Sequence, residues 1–220
     1  YHPPERVSSR GGDAQIGIDY MAQLVPDAKE RAWFMQWLAY KYKHPHIPGP
    51  SIIMVAKEMG TGRSTFASLL SKMFGPSYIA NVPFSTWAGL TSQAKEFSSW
   101  AHGKLMCCVN ESSADGEGLK YHVKHAVYER VKELVDPRPI SKTYTVKGKG
   151  NVVGVSCMTS LVFTNNPDAI PISEDDRRLA VLTNGGRRSP EYWEAYNAWA
   201  EDPRNIAAFC EYLETICLEG

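Results

Sequence analysis

Ser51-Ile52-Ile53-Met54-Val55, then Ala56-Lys57-Glu58-Met59, then Gly60-Thr61-Gly62-Arg63-Ser64-Thr65: this stretch decides the fold of the 220-residue chain. A β-branched apolar run enters a glycine-rich turn, and the turn opens a helix carrying Phe66, Leu69, Leu70 and Met73. That order of elements cradles a triphosphate. Backbone N–H groups of the turn and of the helix N-terminus point at the phosphates, and a hydroxyl helps to hold Mg²⁺. The usual pattern is G-x-x-x-x-G-K-[ST]. Gly62 and Ser64 satisfy it. Lys57 stands at the first glycine position, and Arg63 stands where the lysine belongs. A plain strand-to-helix turn is the bland alternative for so short a run. The strand before it and the amphipathic helix after it favour the phosphate site.

Outward from this stretch, strands and helices alternate. The helix from Arg63 closes at Gly75-Pro76, and a second helix is expected over about 86–100. Leu105 to Val109 is a continuous apolar run, as in a strand buried on both faces. A helix follows over roughly 119–135. Thr143 to Val155 alternates around Lys147-Gly148-Lys149-Gly150, which predicts a hairpin. Met158 to Thr164 and Leu179 to Leu182 are two further strands. This alternation predicts an α/β sandwich with a largely parallel central sheet. On the N-terminal side, Tyr1 to Asp19 is polar and rich in Gly and Ser, and is expected to be a loose linker. Asp27 is an expected N-cap, with Glu30 completing a capping box. Trp33, Phe34, Trp37 and Leu38 form the apolar face of the helix behind it, which His44-Pro45 and Pro48-Gly49-Pro50 end. On the C-terminal side, Tyr192, Trp193, Tyr196 and Trp199 share one helical face, and a second helical stretch covers 205–218. The expected division is 1–48 for the linker and N-terminal helix, 49–185 for the core and 186–220 for a C-terminal helical segment. The opening at Tyr1-His2-Pro3-Pro4 and the stop in a helical pattern point to a piece of a larger protein.

Composition excludes several roles. With 43% apolar and 22% charged residues the chain is an ordinary globular sequence. Its formal net charge of zero leaves no global field to draw nucleic acid, so any such contact must be local. The five cysteines show no C-x-x-C spacing. Cys107, Cys108 and Cys157 lie in apolar runs, which fits buried thiols in a reducing cytoplasm rather than zinc or disulfides. His44 and His46 have no carboxylate or thiol beside them in sequence and read as loop histidines. No apolar run reaches about 18 residues, so no membrane-spanning helix is expected.

Four further motifs stand beside the glycine turn. Asn110-Glu111 follows the buried strand directly, where a phosphate-binding α/β protein places a metal ligand and a carboxylate that activates water. Thr164-Asn165-Asn166 ends the next buried strand, where an amide can donate to a γ-phosphate; alone it is a turn signal. Asp175-Asp176-Arg177-Arg178 is either a surface ion-pair cluster or a source of a planar fork for phosphoryl oxygens. Lys142, Lys147 and Lys149 on the hairpin suit a nucleic-acid backbone, against the alternative of a solvated tip.

Together, in this order, these motifs resemble the superfamily 3 helicase domain of phage, plasmid and poxvirus-type primase-helicases. The resemblance runs from about Trp33 to Leu182 and includes Trp37-Leu38-Ala39-Tyr40 and His44-Pro45 ahead of the core. It implies a P-loop NTPase (AAA+-like) three-layer sandwich with helical flanks at both ends. It implies ATP with Mg²⁺, a hexameric homo-oligomer, movement on single-stranded DNA and a primase or primase-polymerase module in the same chain. It places Gly60, Thr61, Gly62, Arg63, Ser64 and Thr65 at the nucleotide. Ser64, Asn110 and Glu111 fall at Mg²⁺, with Glu111 as base and Asn165 as sensor. Arg177 or Arg178 is the finger acting in trans, and Lys142, Lys147 and Lys149 are at DNA. Two departures stand out: Arg63 for lysine, and Asn110 for a carboxylate. Arg63 keeps open the alternative of a non-hydrolysing nucleotide-binding ring scaffold that tethers a primase-polymerase to DNA. A small-molecule kinase of the P-loop class is a third reading, which the basic hairpin disfavours.

Overall fold

The structure, a computed structural model, describes residues 4, 7–90, 98–110, 121–166 and 176–218. The elements in chain order are α1 (Gln15–Leu24), α2 (Ala28–Lys43), β1 (Ser51–Val55), α3 (Arg63–Phe74), β2 (Ile79–Pro83), α4 (Phe84–Trp87), β3 (Met106–Asn110), α5 (Tyr121–Leu134), β4 (Ile140–Val146), β5 (Gly150–Ser156), β6 (Thr159–Thr164), β7 (Leu179–Thr183), α6 (Pro190–Glu201) and α7 (Pro203–Thr215). The chain forms two compact units. One comprises Tyr1–Pro45, Ala56–Pro76 and Leu182–Gly220; the other comprises His46–Val55 and Ser77–Val181.

The second unit is built on the expected parallel sheet. Five strands lie in the order β2-β3-β6-β1-β7, and β4 and β5 form a separate two-stranded ribbon. The pairs β2–β3, β3–β6 and β6–β1 are all parallel. Such strands are covered on both faces and so read as unbroken apolar runs. All five residues of β3 except Asn110 are buried, and every residue of β6 is. Alternate residues Ile53, Ala80, Val82, Cys107, Val109 and Val162 supply one face. Phe84 and Trp87 of α4 and Val127, Tyr128 and Val131 of α5 pack against it. Trp87 is fully buried and spends its indole N–H on Ser160 Oγ at 3.1 Å, so the bulkiest core side chain carries no orphaned donor. Burial also pushes the Cys108 thiol up to about 12, holding it as a neutral core side chain.

The first unit is helical. α1 packs on α2, α6 and α7, and α3 packs on α7. Its N-terminal part departs from the expected linker: residues Gln15–Leu24 are a helix. Gly17, Tyr20, Met21 and Leu24 recur at i, i+3, i+4 and i+7 and are buried. Gly17 admits Trp199 and Phe209 so closely that a Cβ there would meet each at 2.8 Å. Asp27 does cap α2, accepting from the N–H groups of Lys29 and Glu30. Glu30 does not close a capping box. Its carboxylate accepts from Thr183 N at 2.8 Å and ties the start of α2 to the end of β7.

Three other points differ from the expectations. Of the helix expected over about 86–100, the described residues form the end of the short α4, which Gly89 at φ 64° closes, and a 3-10 turn at Ser99–Ala101; residues 91–97 lie outside those described. Ile79–Pro83, read as part of no element, is the edge strand β2. Cys157 is half-buried between β5 and β6 rather than inside a strand.

Candidate functional site

One group of candidate residues lies on the sheet. Val55, the last residue of β1, is in register with Thr164, the last of β6. Asn110, the last of β3, is in register with Phe163. Asn110 and Thr164-Asn165 therefore share the C-terminal edge of two adjacent strands, and both Asn110 and Asn165 are exposed there. The connection after β1 travels toward β2, and the one after β6 travels the other way, toward β7. Open α/β sheets bind ligands in the crevice where such connections diverge, outside the strand C-termini. Glu111 follows Asn110 directly in sequence and lies outside the described residues. Thr164 Oγ1 caps the turn beyond β6, accepting from Asn166 N at 2.9 Å.

From that same edge the chain leaves β1 into the glycine turn, whose surroundings lie in the helical unit. Gly60 and Gly62 adopt φ 77° and 95°, a region closed to most side chains. At Gly62 the space is closed as well: a Cβ would lie 2.6 Å from Trp193 Cη2 and 3.1 Å from Tyr20 Cε2. Gly62 is the N-cap of α3, so Arg63, Ser64 and Thr65 form its first turn, where N–H groups lack intrahelical acceptors. Ser64 is exposed and Arg63 half-exposed at this end. The Thr61 side chain turns inward, 2% exposed, and its hydroxyl donates to Asn184 Oδ1 at 2.8 Å; Asn184 Nδ2 in turn donates to Leu24 O at 2.7 Å. Thr61 thus has only its backbone to offer a ligand. Arg187 lies along the outer side of Gly60, its stem 3.7 Å from where a Cβ would be, and its N–H faces Glu58 Oε2 at 3.4 Å. The residues present fit a nucleotide polyphosphate: main-chain donors at a helix N-terminus, two glycines that leave the turn's backbone bare, and a hydroxyl at Ser64 for a divalent ion.

The arginines stand elsewhere. Arg178 O accepts from Ser51 N at 2.8 Å, which places Arg177-Arg178 at the N-terminal end of β1. The four steps from Ser51 to Val55 separate them from the opposite edge by about 13 Å at about 3.3 Å per residue. Within one sheet, the structure does not bring Arg177 or Arg178 to Asn110 and Asn165. The two arginines also differ. Arg178 contacts the fully buried Asp176 carboxylate at 3.7 Å, and Asp176 accepts from Tyr128 Oη and Arg178 N, whereas Arg177 is exposed.

The basic hairpin is present as expected, with Lys147 and Lys149 exposed at its tip and Gly148 at φ 78° between them. Lys142 is set apart from that tip. It pairs in register with Gly154 in mid-ribbon, and its ammonium donates to the Glu133 carbonyl. Partial burial there pulls its pKa below the usual lysine range. Tyr20, Gln23, Asn184 and Trp193 belong to the surroundings of the glycine turn, and no sequence motif marks them. The i, i+3, i+4 spacing of α1 is the available signal for the first two.

This geometry defines an α/β protein with a parallel central sheet, a glycine turn after its first strand and polar residues ending the strands beside it. The chain belongs to DUF5906, a family of unknown function, whose profile matches residues 54–178. It is 27% identical over 192 residues to the DNA primase-polymerase of Nitratiruptor phage NrS-1, covering 86% of this chain and 25% of that protein. The solved apo C-terminal region of NrS-1 superposes with a TM-score of 0.78 at 23% identity, covering all of this chain and 50% of that one. A JCV helicase structure superposes with a TM-score of 0.53 at 10% identity over 90% of this chain and 54% of that one. The chain thus spans a quarter of the curated relative and half of the solved NrS-1 region. Among the described residues no helix is long and apolar enough to cross a membrane.

Proposed function

We propose that this chain is the ATP-driven motor domain of a DNA helicase of the superfamily 3 type, linked in its parent protein to a primase-polymerase module. One observation carries the reading: Asn110 and Thr164-Asn165 end adjacent parallel strands on the edge from which the chain enters the glycine turn. The fold shared with the NrS-1 C-terminal region and with a viral helicase supports it.

ATP sits with its phosphates on the N–H groups of residues 60–65. The Ser64 hydroxyl and the Asn110 amide oxygen would hold Mg²⁺, which would supply positive charge against the phosphates. Glu111 takes a proton from the attacking water, and Asn165 orients that water by donating to the γ-phosphate. Arg177 serves a neighbouring subunit, since its own strand edge is the far one; this requires a ring, hexameric by the resemblance. Lys147 and Lys149 contact the single-stranded DNA backbone. Each role matches the residue's chemistry: a carboxylate for the base, a neutral amide for the sensor, a planar fork for equatorial oxygens.

The test is Glu111→Gln in the full-length protein. ATPase activity stimulated by single-stranded DNA is expected to fall by at least about 10², the usual contribution of a general base, while ATP binding persists. Unchanged turnover would remove Glu111 as the base and with it the mechanism.

A further inference from the structure

Helix α1 holds the glycine turn from behind. Tyr20 Oη donates to Gly62 O at 2.7 Å. Gln23 Nε2 donates to Gly186 O at 2.9 Å and, more weakly, to Thr61 O at 3.4 Å. Both side chains are buried: Tyr20 is 0% and Gln23 4% exposed. Gly62 O also accepts the first helical bond of α3 from Phe66 N at 2.9 Å, so both of its lone pairs are used. Burial, with Tyr196 and Tyr192 nearby, pushes the Tyr20 phenol well above its usual range, which keeps it a neutral donor.

A trans peptide unit points its N–H opposite to its C=O. Fixing the Thr61 carbonyl therefore fixes the Gly62 N–H, and fixing the Gly62 carbonyl fixes the Arg63 N–H. Both N–H groups are turned away from α1. They are the groups a phosphate on this turn must use. Gln23 makes these contacts at a cost to itself, because its Oε1 is buried without a hydrogen-bond partner among the described residues. An apolar residue of the same length would avoid that desolvation. A buried amide kept under those terms is placed for its two donor protons. α1 lies outside the 54–178 segment matched by the family profile.

We propose that α1 is the positioning element of the nucleotide turn: Tyr20 and Gln23 preset the Gly62 and Arg63 amides for the phosphates, and nucleotide binding is thereby coupled to the docking of α1. The proposal rests on the reading of this turn as a nucleotide site. Coupling of this kind is reciprocal, so bound nucleotide must in turn tighten α1.

The experiment uses the full-length protein with the fluorescent nucleotide mant-ATP and Mg²⁺. Tyr20→Phe keeps the ring and removes only the hydroxyl. Val131→Ala destabilises the protein from a buried position on α5, in the other unit. Tyr20→Phe is expected to weaken binding by about three- to tenfold, one hydrogen bond's worth. It is also expected to shrink the nucleotide-induced protection of the 15–24 amides in hydrogen exchange. Val131→Ala is expected to lower the apo Tm and leave the affinity ratio near one. If Tyr20→Phe binds like wild type, or if both variants lose affinity in proportion to their loss of Tm, the positioning role is overturned and the nucleotide site stands. If wild type binds no mant-ATP, the site reading itself fails and the proposal falls with it.

Discussion

Arg63 occupies the position at which a compact ammonium normally reaches between β- and γ-phosphates. A guanidinium keeps the charge but is broader and aims its donors in a fixed plane. It sits in the first turn of α3, behind a Gly62 that Tyr20 and Trp193 hem in, so the backbone has little room to shift and accommodate the larger head. Misplacement by about 1 Å can cost about 10² in rate, whereas binding through the main chain is spared. Arg63→Lys is therefore expected to raise single-stranded-DNA-stimulated ATP turnover by about tenfold or more while changing nucleotide affinity little, read from kcat and KM of the full-length proteins. Absence of turnover in both forms would favour the ring scaffold over the motor. The neighbouring arginines divide in the same residue-by-residue way. Arg178 is held against Asp176, and Arg177 is exposed.

Among the elements, α5 shows how a local ion pair sets a boundary. Arg138 folds back on Asp136 at the end of this helix: its backbone N–H and Nε donate to Oδ1 at 3.0 and 2.9 Å, and a second guanidinium nitrogen donates to Oδ2 at 2.8 Å. These bonds, chiefly the side-chain pair, hold the Asp136 carboxyl far below the usual carboxylate range. A depressed folded-state pKa gives stability that is complete above the unfolded value near about 3.9 and is lost as pH falls through the folded one. Asp136→Asn is thus expected to destabilise the protein at pH 7, with the gap to wild type closing as pH drops below about 4. Urea midpoints measured across that range check it, and a gap independent of pH would exclude the ion pair as its source. The pair is modest in scale because Arg138 is 70% exposed. The hairpin β4–β5 is the element that presents charge: its tip carries Lys147 and Lys149, while Lys142 is committed to the Glu133 carbonyl.

At the scale of the whole molecule the net charge is zero, so any DNA affinity must come from such local presentation. Replacing Lys147 and Lys149 together by Ala is expected to weaken single-stranded DNA binding regardless of sequence. It should reduce the slope of log Kobs against log salt by about 1.4, since each phosphate left without its lysine is worth about 0.7. An unchanged slope would take the hairpin out of the DNA interface. Arg177 and the Asn110–Asn165 edge stand at opposite ends of the sheet.

The buried strands were legible because a parallel sheet covers both faces, so β1, β3 and β6 had to be apolar runs wherever they lay, whereas β7 at the sheet edge is buried only at Leu179 and Leu182. The glycine turn was legible because positive φ at Gly60 and Gly62, and the close approach of Trp193 at Gly62, demand glycine at fixed spacing. Strand β2 was hidden by its Asn81 and Pro83, tolerable only at an edge. Helix α1 was hidden because Gly11, Gly12 and Gly17 mimic a linker, and Gly17 serves instead to let Trp199 and Phe209 approach. Glu30 sits at a capping-box spacing, yet the end of β7 supplies a better-placed donor in Thr183 N. By itself, then, the sequence determined the α/β class, the strand ends and the turn, because those depend on local residue type and period. The tertiary structure alone decided which strands adjoin, which arginine faces outward and which helix grips the turn, because pairings between residues distant in the chain leave no periodic trace in it.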